Sequence, residues 1–105
     1  MANFLLTYHG GSGMPETAEE GAKVMAAWNT WFGQLGDALV DGGNPISTTK
    51  TVHANGSVSD GGSSHVSGYT VIKADSIDHA VKAAQMCPVL AGGASVEVSE
   101  TVPAM

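Results

Sequence analysis

The chain has 105 residues, 43% of them apolar, and a formal net charge of −6 from ten Asp and Glu against four Lys and Arg. That length gives one domain with a modest core, small enough that a partner would help it. The acidic balance excludes a nucleic-acid binder or a coat for anionic membrane, since both need a basic surface, while an anionic small ligand is still allowed where one cation sits alone in a pocket.

A single cysteine, Cys87, excludes an internal disulfide and fits a reducing cytosol. Lying before Pro88 at a helix end, it reads as a small buried side chain rather than a catalytic thiol. The opening MANFLLTYHGG has no basic leader region, and no segment approaches the roughly 20 apolar residues of a membrane span. The expectation is a cytoplasmic chain with neither nucleic acid nor membrane as partner.

In chain order, Asn3–His9 is a first strand, and its unbroken Phe4-Leu5-Leu6 run predicts burial on both faces. Gly10–Pro15 is a glycine-rich loop without the spacing of a phosphate cradle. Thr17-Ala-Glu-Glu20 is a capping box that opens a helix. Val24, Ala27, Trp28, Trp31, Leu35 and Leu39 follow at three- and four-residue steps, which makes one apolar stripe. Gly33 and Gly36 weaken that helix, and close packing on a sheet would rationalise them. Gly42–Pro45 ends the element.

Thr48–His53 is a second strand, Asn55-Gly56 a turn, and Val58 a short strand piece before the loop Asp60–Ser64. Gly68–Ala74 is a third strand of buried character. Ser76 caps a second helix over about Ile77–Cys87, and Pro88 stops it. Gly92-Gly93 turns the chain into a last strand over about Ser95–Val102, where Val96 and Val98 alternate with polar residues.

The order β-α-β-β-α-β predicts a single α+β domain of ferredoxin-like type over residues 1–105: a four-stranded antiparallel sheet with two helices on one face. The first and third strands should be central, and the Thr-, Ser-, Lys- and Glu-bearing strands should be edges. Two helices cover only one face of such a sheet. The other face must meet water or another surface; along the first strand Leu5, Thr7 and His9 would lie opposite Phe4, Leu6 and Tyr8, so one face is mixed. A mixed face of this kind suits sheet-to-sheet pairing of two copies around a wet cleft, so the expected partner is the chain itself.

Several stretches taken together resemble the YCII-related family, also described by its DGPF motif. They are the first strand ending in Tyr8-His9-Gly10, Gly43-Asn44-Pro45 after the long helix, the loop Val58-Ser59-Asp60-Gly61, the strand and helix GYTVIKADSIDHAV, Cys87-Pro88, and the closing GGASVEVSE. The resemblance spans nearly the whole chain and rests on the order and spacing of individually weak motifs. It implies a dimeric α+β barrel and a small-molecule enzyme. Among relatives, the best-defined activity eliminates chloride from a chlorinated hydroxyquinol. Cofactor-independent monooxygenases have barrels of the same type, so no cofactor is expected. Two departures stand out. The DGPF motif is Asp60-Gly61-Gly62-Ser63 here, and the first-helix His that some members pair with an Asp has no counterpart around Met25–Trp28.

The candidate catalytic residues are His9 and Asp60. His9 ends a central strand beside a glycine-rich loop, and imidazole suits acid–base work near neutral pH. Its alternative is a strand-end His bonded to a carbonyl. Asp60 would orient that His or bind ligand, or else is an ordinary turn Asp. Candidate ligand-binding residues are Tyr8, Lys50, Tyr69 and Glu97. Lys50 would hold an anionic group, or else guards an edge strand. Glu97 would serve as a base if desolvated. The two tyrosines would donate to a substrate oxygen, or else pack in the core with bonded hydroxyls. No HxH, HxxxH or Cys/His pair occurs, so no metal is expected. Ser63 and Ser64 lack the context of a hydrolase nucleophile. The functional choice is between a cofactor-independent lyase or isomerase-like enzyme and a non-catalytic small-ligand module.

Overall fold

A computed structural model describes residues 1–11, 17–62 and 65–103. The strand β1 (Ala2–His9) buries Phe4, Leu6 and Tyr8 and turns Leu5, Thr7 and His9 to the other side. The long helix α1 (Ala18–Leu35) is capped as expected: the Thr17 hydroxyl accepts the Glu20 N–H at 3.1 Å. Trp31 is buried in the core, with Trp28, Phe32 and Leu35 packed around it. The helix ends at Gly36, whose φ of +52° suits a residue without Cβ and whose N–H bonds the Phe32 carbonyl. Gly33 has open space around it, so close approach to the sheet is not why it is there.

After α1 the structure departs from the sequence expectation. The strand that joins the sheet is β2 (Leu39–Asp41), directly behind the helix. Thr48–His53 is not a sheet edge. Its core, β3 (Lys50–Val52), pairs with β4 (Val58–Asp60) as a separate two-stranded hairpin, closed at the expected Asn55-Gly56 turn. The β-rich composition of Thr48–His53 was satisfied by the hairpin. The sheet took the shorter Leu39–Asp41, because Leu39 reaches the core there and lies opposite Ile72.

The chain re-enters the sheet as β5 (Val66–Ala74) and continues through α2 (Ile77–Ala84) to β6 (Ser95–Glu100). Ser76 caps α2 by accepting the His79 N–H at 3.2 Å. This helix is shorter than the expected Ile77–Cys87. Three-ten turns over Pro88–Gly92 follow it, with Pro88 at their start. The sheet order is β2-β5-β1-β6 with all neighbours antiparallel. The result is an α+β domain compatible with the ferredoxin-like arrangement, with β1 and β5 central. Both helices cover the same face: Trp31 of α1 and Ala80 and Ala84 of α2 share one core with Phe4, Leu6, Tyr8 and Ile72. The Trp31 indole N–H ties them together by donating to the Ala83 carbonyl at 3.0 Å.

Candidate functional site

Strand register determines what lies on the uncovered face of the sheet. Thr7 stands opposite Tyr69 on one side and Glu97 on the other, so Tyr69, Thr7 and Glu97 form one row across β5, β1 and β6. The next row is Val71, Leu5 and Ser99, and beyond it Lys73 stands opposite Asn3. Leu5, Val71 and Tyr69 are half-buried although no helix among the described residues covers them.

His9 ends this face, where a shift in register between Tyr8 and His9 re-aims the strand. Its Nε2 lies 3.0 Å from the Thr7 hydroxyl and 3.4 Å from the Glu97 carboxylate. The imidazole is 15% exposed and the carboxylate 67%. Nε2 thus has a hydroxyl that can donate or accept and a carboxylate close by. This gives a carboxylate–imidazole unit with the Tyr69 side chain in the adjoining row, the minimum equipment for moving a proton.

Asp60 does not join His9. Its carboxylate is 91% exposed and accepts from the Lys50 ammonium at 2.9 Å, on the hairpin. The two expected ligand and helper residues are thus spent on each other, and no ion pair links His9 to Asp60 among the described residues. The sequence held a signal for this: a turn centred on Asn55 places position 50 opposite 60, and the register is Lys50↔Asp60. His53 also belongs to the hairpin, with Nε2 2.9 Å from the Ser59 hydroxyl. Ser63 and Ser64 lie outside the described residues, as does most of the Gly10–Pro15 loop.

Tyr8 is on the helix-covered face, opposite His9. Its ring meets Trp28 edge-on with centroids 5.6 Å apart. The Thr70 hydroxyl donates to the Gly42 carbonyl at 3.1 Å, so the Tyr8 hydroxyl must donate to Thr70. Sequence reasoning missed this Tyr8–Thr70–Gly42 chain because it joins three separate segments. Burial pushes the Tyr8 phenol above its ordinary value of 10.0; the Thr70 hydrogen bond opposes the shift, and Cys87 adds to it. Burial likewise raises the Cys87 thiol from 9.0, against a hydrogen bond from the Val89 backbone. Both groups therefore stay neutral in ordinary buffers, and Tyr8 is a donor rather than a base.

These shifts predict alkaline instability. Where the folded chain keeps protons that the unfolded chain has released, stability must fall as pH rises. The contribution is complete below the unfolded values of 9.0 and 10.0 and declines above them. The urea midpoint should decline steadily from about pH 8 to about pH 11, and decline less in Tyr8→Phe and Cys87→Ala. An identical slope in all three proteins would contradict the assignment.

Two concave surfaces lie elsewhere. A depression of about 280 Å³ is lined by Val81, Leu90, Val96 and Val98, and one of about 520 Å³ by Val24, Trp31, Met86 and Pro88. Neither contains His, Asp or Glu. The titratable cluster is on the sheet face, which becomes a cleft only under a second surface. Among the described residues no three His, Cys, Asp or Glu side chains gather as a metal site, and no helix is long and apolar enough to cross a membrane. No protein-family model matches the chain, and no curated protein matches it either.

Proposed function

We propose that this chain is a YCII-related, cytoplasmic small-molecule protein that works as a homodimer paired through the open sheet face. His9 carries acid–base chemistry in the cleft between the sheets. Glu97, rather than Asp60, orients it, and Tyr69 contributes a hydroxyl to the ligand. The reaction class is a cofactor-independent lyase or isomerase-like step on a small aromatic or anionic molecule. The observation that carries this reading is the His9–Thr7–Glu97 contact beside half-buried Tyr69, Leu5 and Val71, on a face that no helix covers among the described residues. The family resemblance in sequence supports the same barrel-type pairing.

A non-catalytic ligand-binding module is the second reading. It is favoured by the Lys50–Asp60 pair, which withdraws the expected helper from His9. NMR titration with a panel of small hydroxylated aromatics and carboxylates tests the shared claim. Ligands should shift the His9 imidazole and the Thr7, Tyr69 and Glu97 amides. Shifts confined to the Val81–Leu90 side would contradict it. Among ligands that bind, slow conversion lost in His9→Asn with affinity retained supports the enzyme. Binding without conversion in either protein supports the module.

A further inference from the structure

The four basic side chains of the chain are all lysines; it has no arginine. Lys23 lies on α1 near Glu19, and Lys50 on the hairpin holds Asp60. Lys82 is exposed on α2. Lys73 differs from these three. It stands on central strand β5, opposite Asn3, on the open face of the sheet, and it is the half-buried one of the four. Its ammonium has neither an ion pair nor a hydrogen bond among the described residues. A partly desolvated charge without a counter-charge is costly. The chain has ten Asp and Glu, yet none is placed beside it.

We propose that Lys73 holds the anionic end of the ligand in the sheet-face cleft, and that the ligand is a small aryl or alkyl carboxylate. Its carboxylate lies at Lys73, and its hydroxyl or carbonyl end lies at His9. The inference rests on the site proposed above, and it moves to Lys73 the role expected of Lys50. Strand register orders the face. Lys73, Val71 and Tyr69 follow one another along β5, beside Asn3, Leu5 and Thr7 on β1. A cation therefore stands at one end, two apolar side chains in the middle, and the Tyr69–Thr7–Glu97 row with His9 at the other end.

The same order gives the ligand its length and direction. Four residues at about 3.4 Å each separate Lys73 from Tyr69 by about 14 Å of strand. A lysine stem can shorten that gap to the span of a monocyclic aryl acid. The Glu97 carboxylate repels an anion from the His9 end, so the charged group belongs at Lys73. One ammonium suits one negative charge. A phosphate dianion would lack the arginine fork that usually grips it, in a chain whose net charge is −6.

The test titrates para-hydroxyphenylpropanoate and its uncharged amide into wild type, Lys73→Met and Lys73→Arg by calorimetry. Wild type should bind the acid at least about tenfold more tightly than the amide. Lys73→Met should bind the two alike, and Lys73→Arg should keep the preference for the acid. Equal acid affinity in wild type and Lys73→Met would overturn the assignment. So would an equal loss for acid and amide, because the stem would then be packing rather than the charge binding. If wild type sediments as a dimer and Lys73→Met as a monomer, the lysine is an interface contact and the inference falls. If both probes bind wild type equally and shift the Thr7, Tyr69 and Glu97 amides, the sheet-face site stands and the lysine inference falls. If neither probe binds wild type, or both shift only the helix side, both readings fall.

Discussion

Gly43→Ala is expected to cost about 4 kcal/mol or more, a loss that belongs to the exceptional tail of single substitutions. Gly43 has φ +75°, and a Cβ built there would lie 1.7 Å from the Tyr69 carbonyl oxygen. Left-handed backbone alone costs a non-glycine residue about 1–2 kcal/mol. The overlap is worse because the obstacle is backbone of central β5, which cannot move without disturbing its pairing with β1. Gly43 also donates its N–H to the Asp41 carboxylate at 2.9 Å, which fixes the exit of β2 from the sheet. Urea unfolding followed by circular dichroism measures the effect. Gly33→Ala is the control: nothing lies near its Cβ position, and removing a mid-helix glycine should stabilise by about 1 kcal/mol. Equal small effects from both would mean that the β2–β5 junction is not where the fold is most constrained.

Trp31→Ala is expected to cost about 3–5 kcal/mol, the range for emptying an aromatic site in a core. Trp31 is buried, and its ring lies 5.6 Å from both Trp28 and Phe32. It also holds α1 to α2 through the Ala83 carbonyl. Against a typical total of about 5–15 kcal/mol, that loss leaves a small domain close to unfolding. Trp31→Phe keeps most of the apolar contact but leaves the Ala83 carbonyl without its donor, and should cost about 1–3 kcal/mol. The denaturant midpoints of the two variants separate the packing from the hydrogen bond. A loss in Trp31→Ala no larger than in Trp31→Phe would show that the site collapses around the cavity.

The central strands were legible because alternation is a local property. Phe4, Leu6 and Tyr8 lie on one side of β1 and Leu5, Thr7 and His9 on the other, as the first strand alone implied, whereas which set the helices cover, and with it the burial of Tyr8 away from the open face, was not legible. Thr17 and Ser76 were legible as caps because capping is local as well. The edge strand was not. Thr48–His53 has the stronger β composition, but sheet membership depends on which segment can reach Ile72, and Leu39 does so immediately after the helix. His9 and Glu97 were each visible as candidates, whereas their contact depends on the β1–β6 register. Asp60 illustrates the opposite error: its place in a motif loop suggested a role beside His9, while its pairing with Lys50 followed from the turn at Asn55-Gly56.

Pairing of two copies through the open sheet face is the claim on which the cleft and its chemistry depend. Sedimentation velocity at micromolar concentration tests it directly, using wild type and Leu5→Asp, with far-ultraviolet circular dichroism to confirm that the variant is folded. The account predicts a wild-type dimer and a folded Leu5→Asp monomer. A wild-type monomer, or a Leu5→Asp variant that remains a dimer, would contradict it.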